Sequence, residues 1–321
     1  MGDKRLKFAV FTDLHYDVIH DASRRLQEFL SLTKEKKVEF IIGLGDLCHP
    51  IEEHKHIIET LNEFIPYYSI IGNHDSDSYP IETVLKFFHL KNSYYSFVVQ
   101  NIKFIMLDAN YIRKACDDEP NYKCNYDAET DVYPFVPEEE IEWLNREIQD
   151  NQYYYIVCSH HGLTNDFRQR GIANRDRIRQ ILEHRNRQEK KVLLCMNGHD
   201  HGNDYKEING ISYYTLNSMS YIWHGIKPTF NYSMELHEKY PYMKDMILYE
   251  EPLHVIVTID DNGNIRIDGV EGHYQNITPN EIGLGNTWNA VSIEPKTSSI
   301  TIQYNREEKH YVEASETQLQ L

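Results

Sequence analysis

The segment Leu6–His15 reads LKFAVFTDLH. Its first seven residues, Leu6–Thr12, form an apolar run of strand length, and the run stops at Asp13-Leu14-His15. The same grammar returns further along the chain. VEFIIGL (Val38–Leu44) stops at Gly45-Asp46, and YYSII (Tyr67–Ile71) stops at Gly72-Asn73-His74-Asp75. YYYIVC (Tyr153–Cys158) runs into Ser159-His160-His161, and VLLCM (Val192–Met196) into Asn197-Gly198-His199-Asp200-His201. Amphipathic stretches separate the runs. Asp21 stands where a helix N-cap belongs, ahead of Leu26, Phe29 and Leu30 at i, i+3, i+4 spacing. Further helices are expected over Glu53–Phe64, over Ile81–Phe88 behind Pro80, around Ile141, Trp143, Leu144 and Ile148, and over Arg175–Gln188. Hairpins are expected for Tyr94–Gln100 with Ile102–Leu107, for Tyr205–Leu216 about Asn209-Gly210, and for Pro252–Ile259 with Ile265–Val270 about Asp261-Asn262-Gly263. Asn110–Pro137 reads as an acidic, irregular insert, and Ile300–Tyr304 with His310–Glu313 as a terminal hairpin. Strands alternating with helices, followed by strand-rich segments, predict an α/β fold of layered sheets with helices outside.

The chain has 321 residues, 40% of them hydrophobic and 26% charged, enough for a sizeable core without staples. Lys and Arg number 33 against 50 Asp and Glu, a net charge of −17 with neutral histidine. That balance argues against long nucleic acid as a partner, because such binding rests on cations facing phosphates. It leaves room for a small phosphorylated substrate if the site itself is locally positive. No apolar run of signal or membrane-span length is present, and Leu6 stands where myristoylation wants Ser or Thr. Cys48, Cys116, Cys124, Cys158 and Cys195 are odd in number and read as free thiols, with Cys116 and Cys124 able to pair only if oxidised. The expectation is a cytoplasmic protein without a membrane partner.

The chemistry stands at the strand ends. In α/β sheets, ligand sites gather in the crevice beyond the carboxyl ends of the strands. Five strands deliver Asp13, His15, Asp46, Asn73, His160, His199 and His201 to one such edge. Two carboxylates, four imidazoles and an amide oxygen, with no thiolate, suit Mn, Fe or Zn better than Ca²⁺ or Mg²⁺. Seven ligands exceed what one catalytic ion with an open position needs, and fit two ions sharing a carboxylate. Two such ions would generate a hydroxide nucleophile and clamp the oxygens of an in-line phosphoryl displacement. Their charge also outweighs that of the two carboxylates, so phosphate can enter an acidic protein.

The blocks Asp13-x-His15, Gly45-Asp46, Gly72-Asn73-His74-Asp75, His160 and Gly198-His199-x-His201, in this order across residues 6–201, resemble the calcineurin-like metallophosphoesterase superfamily. The resemblance implies a four-layer αββα sandwich carrying a binuclear centre, here in a domain over 1–275 with a C-terminal β-rich extension over 276–321. It implies that Asp13, His15 and His201 bind one metal, Asn73, His160 and His199 the other, and that Asp46 bridges. His74 would be the catalytic residue, contacting a phosphoryl oxygen or protonating the leaving group. The resemblance selects His160 as the ligand of its pair and leaves His161 behind it.

Other residues carry plainer readings. Asp75 and Asp200 read as turn-stabilising, and His54 and His56 as solvent-facing. Cys48 and His49 read either as pocket lining or as a plain turn ahead of Pro50. The arginine-rich stretch Arg168–Arg187, interleaved with Asp176 and Glu183, reads as a solvated face. The acidic residues Asp117, Asp118, Glu119, Asp127, Glu129 and Asp131 fall where the family varies. Met219–Tyr249, with Tyr221, Trp223, His224, Phe230, Tyr232, Tyr240 and Tyr242, reads as core or an oligomer contact, the other reading being a lid over the centre.

The expected function is metal-dependent hydrolysis of a phosphoester by in-line attack of hydroxide, leaning to a small phosphodiester such as a cyclic nucleotide or glycerophosphodiester. The alternatives are a phosphomonoesterase, a nuclease with the same centre, and a non-catalytic scaffold of the same fold. A scaffold would be expected to lack His74 or some of the seven ligands.

Overall fold

The computed structural model describes residues 5–114, 117–120, 133–167 and 170–304. Cys116, Cys124, Asp127, Glu129, Asp131, Arg168 and the strand expected at His310–Glu313 lie outside them. Two six-stranded sheets dominate. The first contains β1 (Leu6–Phe11), β2 (Phe40–Gly43) and β3 (Tyr67–Ser69); the second contains β4 (Tyr95–Val99), β5 (Ile102–Met106), β6 (Tyr154–Ser159), β7 (Val192–Asn197), β8 (Asp204–Ile208) and β9 (Ile211–Thr215). Three later strands, β10 (Val255–Ile259), β11 (Ile265–Asp268) and β12 (Ile300–Ile302), complete the first sheet. The spatial orders are β12-β11-β10-β1-β2-β3 and β8-β9-β7-β6-β5-β4. β1, β2 and β3 run parallel, as do β5, β6, β7 and β9.

Side-chain alternation decides the layering. In β1, Leu6, Phe8 and Val10 face the second sheet and pack with Phe104, Met106, Ile156 and Leu194. The intervening Ala9 and Phe11 face α1 (Ala22–Lys36) and α2 (Lys55–Phe64), with Leu26, Phe29, Ile57 and Leu61. In the second sheet Ile105, Tyr155 and Val157 face α4 (Glu138–Glu147) and α5 (Arg175–Gln188), through Ile141, Leu144, Ile178 and Leu182; α3 (Ile81–Phe87) joins the first helical layer through Val84 and Phe87. Each central strand is thus apolar on both faces, as a sheet covered on both sides must be. The result is the four-layer αββα sandwich, with extra strands following the alternating part.

Two expectations change. The insert is not irregular where described: Tyr111–Lys114 pairs antiparallel with Asp117–Pro120, two residues on, and with Tyr133–Phe135 from the far end of the insert, making a small sheet. Asp21 precedes α1 but makes no capping hydrogen bond; its carboxylate takes Arg24 and Arg25 instead. Arg25 is completely buried and also donates to the carbonyls of Met219, Tyr249 and Glu251, so it ties α1 to the Met219–Tyr249 segment. Ile300–Ile302 pairs with Ile265–Ile267 and extends the first sheet.

The Met219–Tyr249 segment divides. Met219, Tyr221, Met243, Met246 and Leu248 are buried in the core beside α1 and α2, as the core reading expects. Ile222, Ile247 and Tyr249 pack against Leu284 and Ile293. Trp223, His224 and Tyr242 instead reach the crevice at the strand ends, as the lid reading expects. Among the described residues no helix is long and apolar enough to cross a membrane. Cys48, Cys158 and Cys195 are buried free thiols.

Candidate metal centre

The turns after β1, β2 and β7 bring the acidic and imidazole residues together through an unusual backbone. Asp13, His15, Asp46, His199 and His201 all adopt positive φ, between 48° and 68°. Left-handed conformations at non-glycine residues cost roughly 1 kcal/mol or more each, and they persist only where surroundings over-determine them. Here the surroundings are backbone bonds between the turns: Asp13 N–H donates to Gly45 O, and His15 N–H to Asp46 O. Glycine is required beside them. A Cβ on Gly72 would stand 2.1 Å from Asp46 Oδ1, and one on Gly198 2.0 Å from Thr12 Oγ1.

Several polar atoms that do not face the centre are occupied. Asp13 Oδ2 accepts from Thr12 Oγ1 (2.6 Å) and from His199 N–H (3.0 Å), leaving Oδ1 facing His201 Nε2 at 3.3 Å. His160 Nδ1 bonds Leu44 O and His201 Nδ1 bonds Tyr221 O, which turns both Nε2 atoms inward. Asp46 Oδ1 accepts His74 N–H at 2.8 Å. Its Oδ2 stands 3.5 Å from His15 Nε2 and 3.1 Å from His160 Nε2, between the two groups expected to hold separate ions. Asn73 Oδ1 lies 3.2 Å from His160 Nε2.

Asp13, His15 and His201 offer ligand atoms within 4.8 Å of one another, and so do Asp13, Asp46 and His160. A third such group is His160, His161 and His199. His161 therefore sits closer than the sequence reading placed it, its ring 4.2 Å from that of His199.

The donor set fits two metal ions. Asp13 Oδ1, His15 Nε2 and His199 Nε2 are buried and make no hydrogen bond among the described residues, a cost that a bound cation removes. Burial holds His15 and His199 below the ordinary histidine value, so both rings offer lone pairs. Burial also works against charge on His160, yet Asp46 beside it raises it to about 9. Burial opposes ionisation of Asp46 too, but His160, His74 and His15 hold it well below the usual carboxylate range. The field that favours protons here favours metal cations.

Around this core, Asp75 accepts the backbone N–H groups of Asp46, Leu47, Cys48 and Gly72 and so locks two turns together. That is the turn-stabilising role expected. Asp200 is buried against Arg170. His74 stands over the centre, Nδ1 held 2.7 Å from Asp77 Oδ2, its ring stacked on Trp223 at 5.6 Å and 10°. Cys48 and His49 do line a cleft. His56 is exposed and His54 half-buried, each ring against Tyr16.

Two clefts open beside the His74–Trp223 stack and share Asp46, His74 and Trp223. One, of about 300 Å³, is lined by Asp17, His49, Asp77 and Tyr242; the other, of about 330 Å³, by Arg170, His224, Trp288 and Asn289. Asp77, three residues after His74, was visible in the sequence as a carboxylate on the same turn. Arg170 and Trp288 carried no such signal, since only the fold brings them to the centre.

Fold and site together define a phosphoesterase with a two-metal centre. The chain belongs to the calcineurin-like phosphoesterase family, whose model matches residues 6–203. It is a metallophosphoesterase, hydrolysing phosphoesters with metal ions, and its family uses a dimetal centre. Among curated proteins none matches in sequence. A dimetal phosphatase from Danio rerio is similar in structure, with TM-score 0.54 and 13% identity over 85% of this chain and 99% of that one. The anchor in the inner membrane complex of Plasmodium is similar as well, with TM-score 0.53 and 15% identity over 85% and 89% of the two chains. At such identities the likeness concerns the fold.

Proposed function

We propose that this enzyme hydrolyses a small phosphodiester, with Asp13, His15 and His201 holding one metal ion, Asn73, His160 and His199 the other, and Asp46 bridging. The observation that carries the diester reading is the pair of clefts meeting at His74 and Trp223. A phosphomonoester has one organic arm and needs one cleft. A diester has two, and a phosphorus seated over Asp46 sends one arm to each side of Trp223. Long nucleic acid is disfavoured because Arg170 is the one Lys or Arg lining either cleft among the described residues.

Bound at these residues, two cations would offset charge on the phosphoryl oxygens and activate water. The protein's own part is positioning and proton transfer. Asp77 fixes the ring of His74 through Nδ1, which leaves Nε2 as the atom that would hold a proton for the departing oxygen. Trp223 lies nearly parallel to that ring, with centroids 5.6 Å apart, and flanks it. The reaction balances with water alone: its oxygen bonds to phosphorus, one P–O ester bond breaks, and the leaving alcohol takes the proton.

The test compares bis-p-nitrophenyl phosphate with p-nitrophenyl phosphate in Mn²⁺, with Asp46→Asn as control. A higher kcat/KM for the diester is expected. Preference for the monoester would overturn the diester reading, and full activity in Asp46→Asn would overturn the bridging role.

A further inference from the structure

The two clefts differ in charge. The Asp17 cleft adds three carboxylates, Asp17, Asp75 and Asp77, to the centre and no Lys or Arg. The Arg170 cleft adds a guanidinium and no carboxylate beyond the shared Asp46. A neutral alcohol arm on both sides would not call for such a difference. We propose that Arg170 is the contact for a second phosphoryl group on the substrate, making the preferred diester one in which a phosphoanhydride joins two phosphoryl groups. This rests on the diester reading above and names its substrate class.

Position carries the argument. Arg170 donates through Nη2 to the main-chain carbonyl of His199, and its Nε lies 3.3 Å from Asp200 Oδ1. The guanidinium is therefore held at the residue assigned to one metal, and its side chain is only 19% exposed. An anion meeting it there shares one cleft with Asp46, His74, His199 and His201, as the second phosphoryl group of a diphosphate would. A carboxylate at the far end of a long arm would pass it by. Arginine suits this task because its planar donors match phosphate oxygens and its charge survives burial. Asp200, fully buried behind it, keeps the side chain from swinging away.

The walls beyond are aromatic. Trp288 lines the same cleft and donates from Nε1 to Trp223 O at 3.0 Å, so the two indoles frame the exit for whatever the second phosphoryl group carries. A flat ring such as a nucleobase fits against such faces. Hydrolysis of this substrate needs only water. Its oxygen bonds to one phosphorus, the bridging P–O bond breaks, and the bridging oxygen leaves with the electron pair and takes the proton. Two phosphomonoesters result.

The experiment measures kcat and KM for diadenosine diphosphate and for bis-p-nitrophenyl phosphate with wild type, Arg170→Gln and Arg170→Lys, all Mn²⁺-loaded and checked for equal metal content. Arg170→Gln is expected to lower kcat/KM for the diphosphate by about 10- to 100-fold more than for the simple diester, chiefly in KM, with Arg170→Lys between. Equal losses on both substrates would show that Arg170 only supports the His199 turn, and would overturn the proposal. So would a wild type that cleaves the simple diester but not the diphosphate. A wild type that cleaves neither would refute the diester reading itself.

Discussion

Replacing His74 by alanine separates catalysis from metal binding. The main-chain N–H of residue 74 would still reach Asp46 Oδ1, at 2.8 Å in the native chain, so the bridging carboxylate keeps its orientation. Asn73 keeps its place on the same short helix, Asn73–Ser76. What disappears is the imidazole between Asp77 and Trp223. Removing one donor aimed at developing charge costs about 2.7–4 kcal/mol, or roughly 10²–10³ in kcat. Where the side chain also supplies a proton, the loss depends on the leaving group. A nitrophenolate departs without one and an alkoxide does not, so the loss should be near 10² for bis-p-nitrophenyl phosphate and about tenfold larger for a cyclic nucleotide. The assay is steady-state kcat on both substrates alongside the metal-to-protein ratio of each variant. Asp77→Asn should give a smaller loss in the same direction. An unchanged kcat for His74→Ala, or a loss matched by lost metal, would refute the assignment. Equal losses on the two substrates would leave charge stabilisation and remove the proton-donor role.

Two further perturbations probe the frame and its charges. Gly72→Ala would bring a Cβ within 2.4 Å of Asp46 N, whose turn Asp75 holds in place, so it should destabilise the fold by about 1–3 kcal/mol and lower metal occupancy. Wild-type melting temperature and metal content in that variant would contradict the rigid turn described here. The Asp17–His49 pair, 2.6 Å apart, sets a pH dependence. Its hydrogen bond to Asp17 raises His49, and although burial opposes it, His49 keeps Asp17 below the ordinary aspartate value. Stability from the pair is therefore complete between the unfolded values of 3.8 and 6.5, and fades as pH rises through the folded value of His49 or falls through that of Asp17. The His49 side chain is 38% exposed, so solvent screening limits the pair to about 1 kcal/mol or less. The melting-temperature deficit of Asp17→Asn should be largest near pH ~5.5 and shrink towards pH ~9; a deficit independent of pH would show that the ion pair is not its source.

Local patterns were legible wherever one strand or helix face settles them. The apolar run that contains Leu6–Phe11 and the i, i+3, i+4 spacing of Leu26, Phe29 and Leu30 needed no tertiary context, and the elements fall where those patterns lie. The Tyr111–Lys114 sheet was not legible, because Asp117–Pro120 is acidic with no apolar strand pattern and Tyr133–Phe135 is only three residues long and comes from the far end of the insert. Nor was the fate of Asp21. A cap is read from neighbours, whereas the demand of the buried Arg25 comes from Met219, Tyr249 and Glu251.

The phosphoesterase family was legible in residue types: aspartate, asparagine and histidine at five strand ends are each a weak signal, and in that order together a specific one. Composition by itself argued against long nucleic acid and left room for a small phosphorylated substrate, but charge acts through distance, and only the fold places Arg170 in a cleft with Asp46 and His74. The fold alone also decided that Asp13, His15, Asp46, His199 and His201 take left-handed backbones, since contacts between distant turns must hold such strain. It decided as well that Trp223 would stand on His74 and divide the mouth into two unlike clefts. Ligand identity is a property of single residues and survives in the sequence. The shape and charge of the space above them arise from closure of the chain, where segments far apart in sequence first meet.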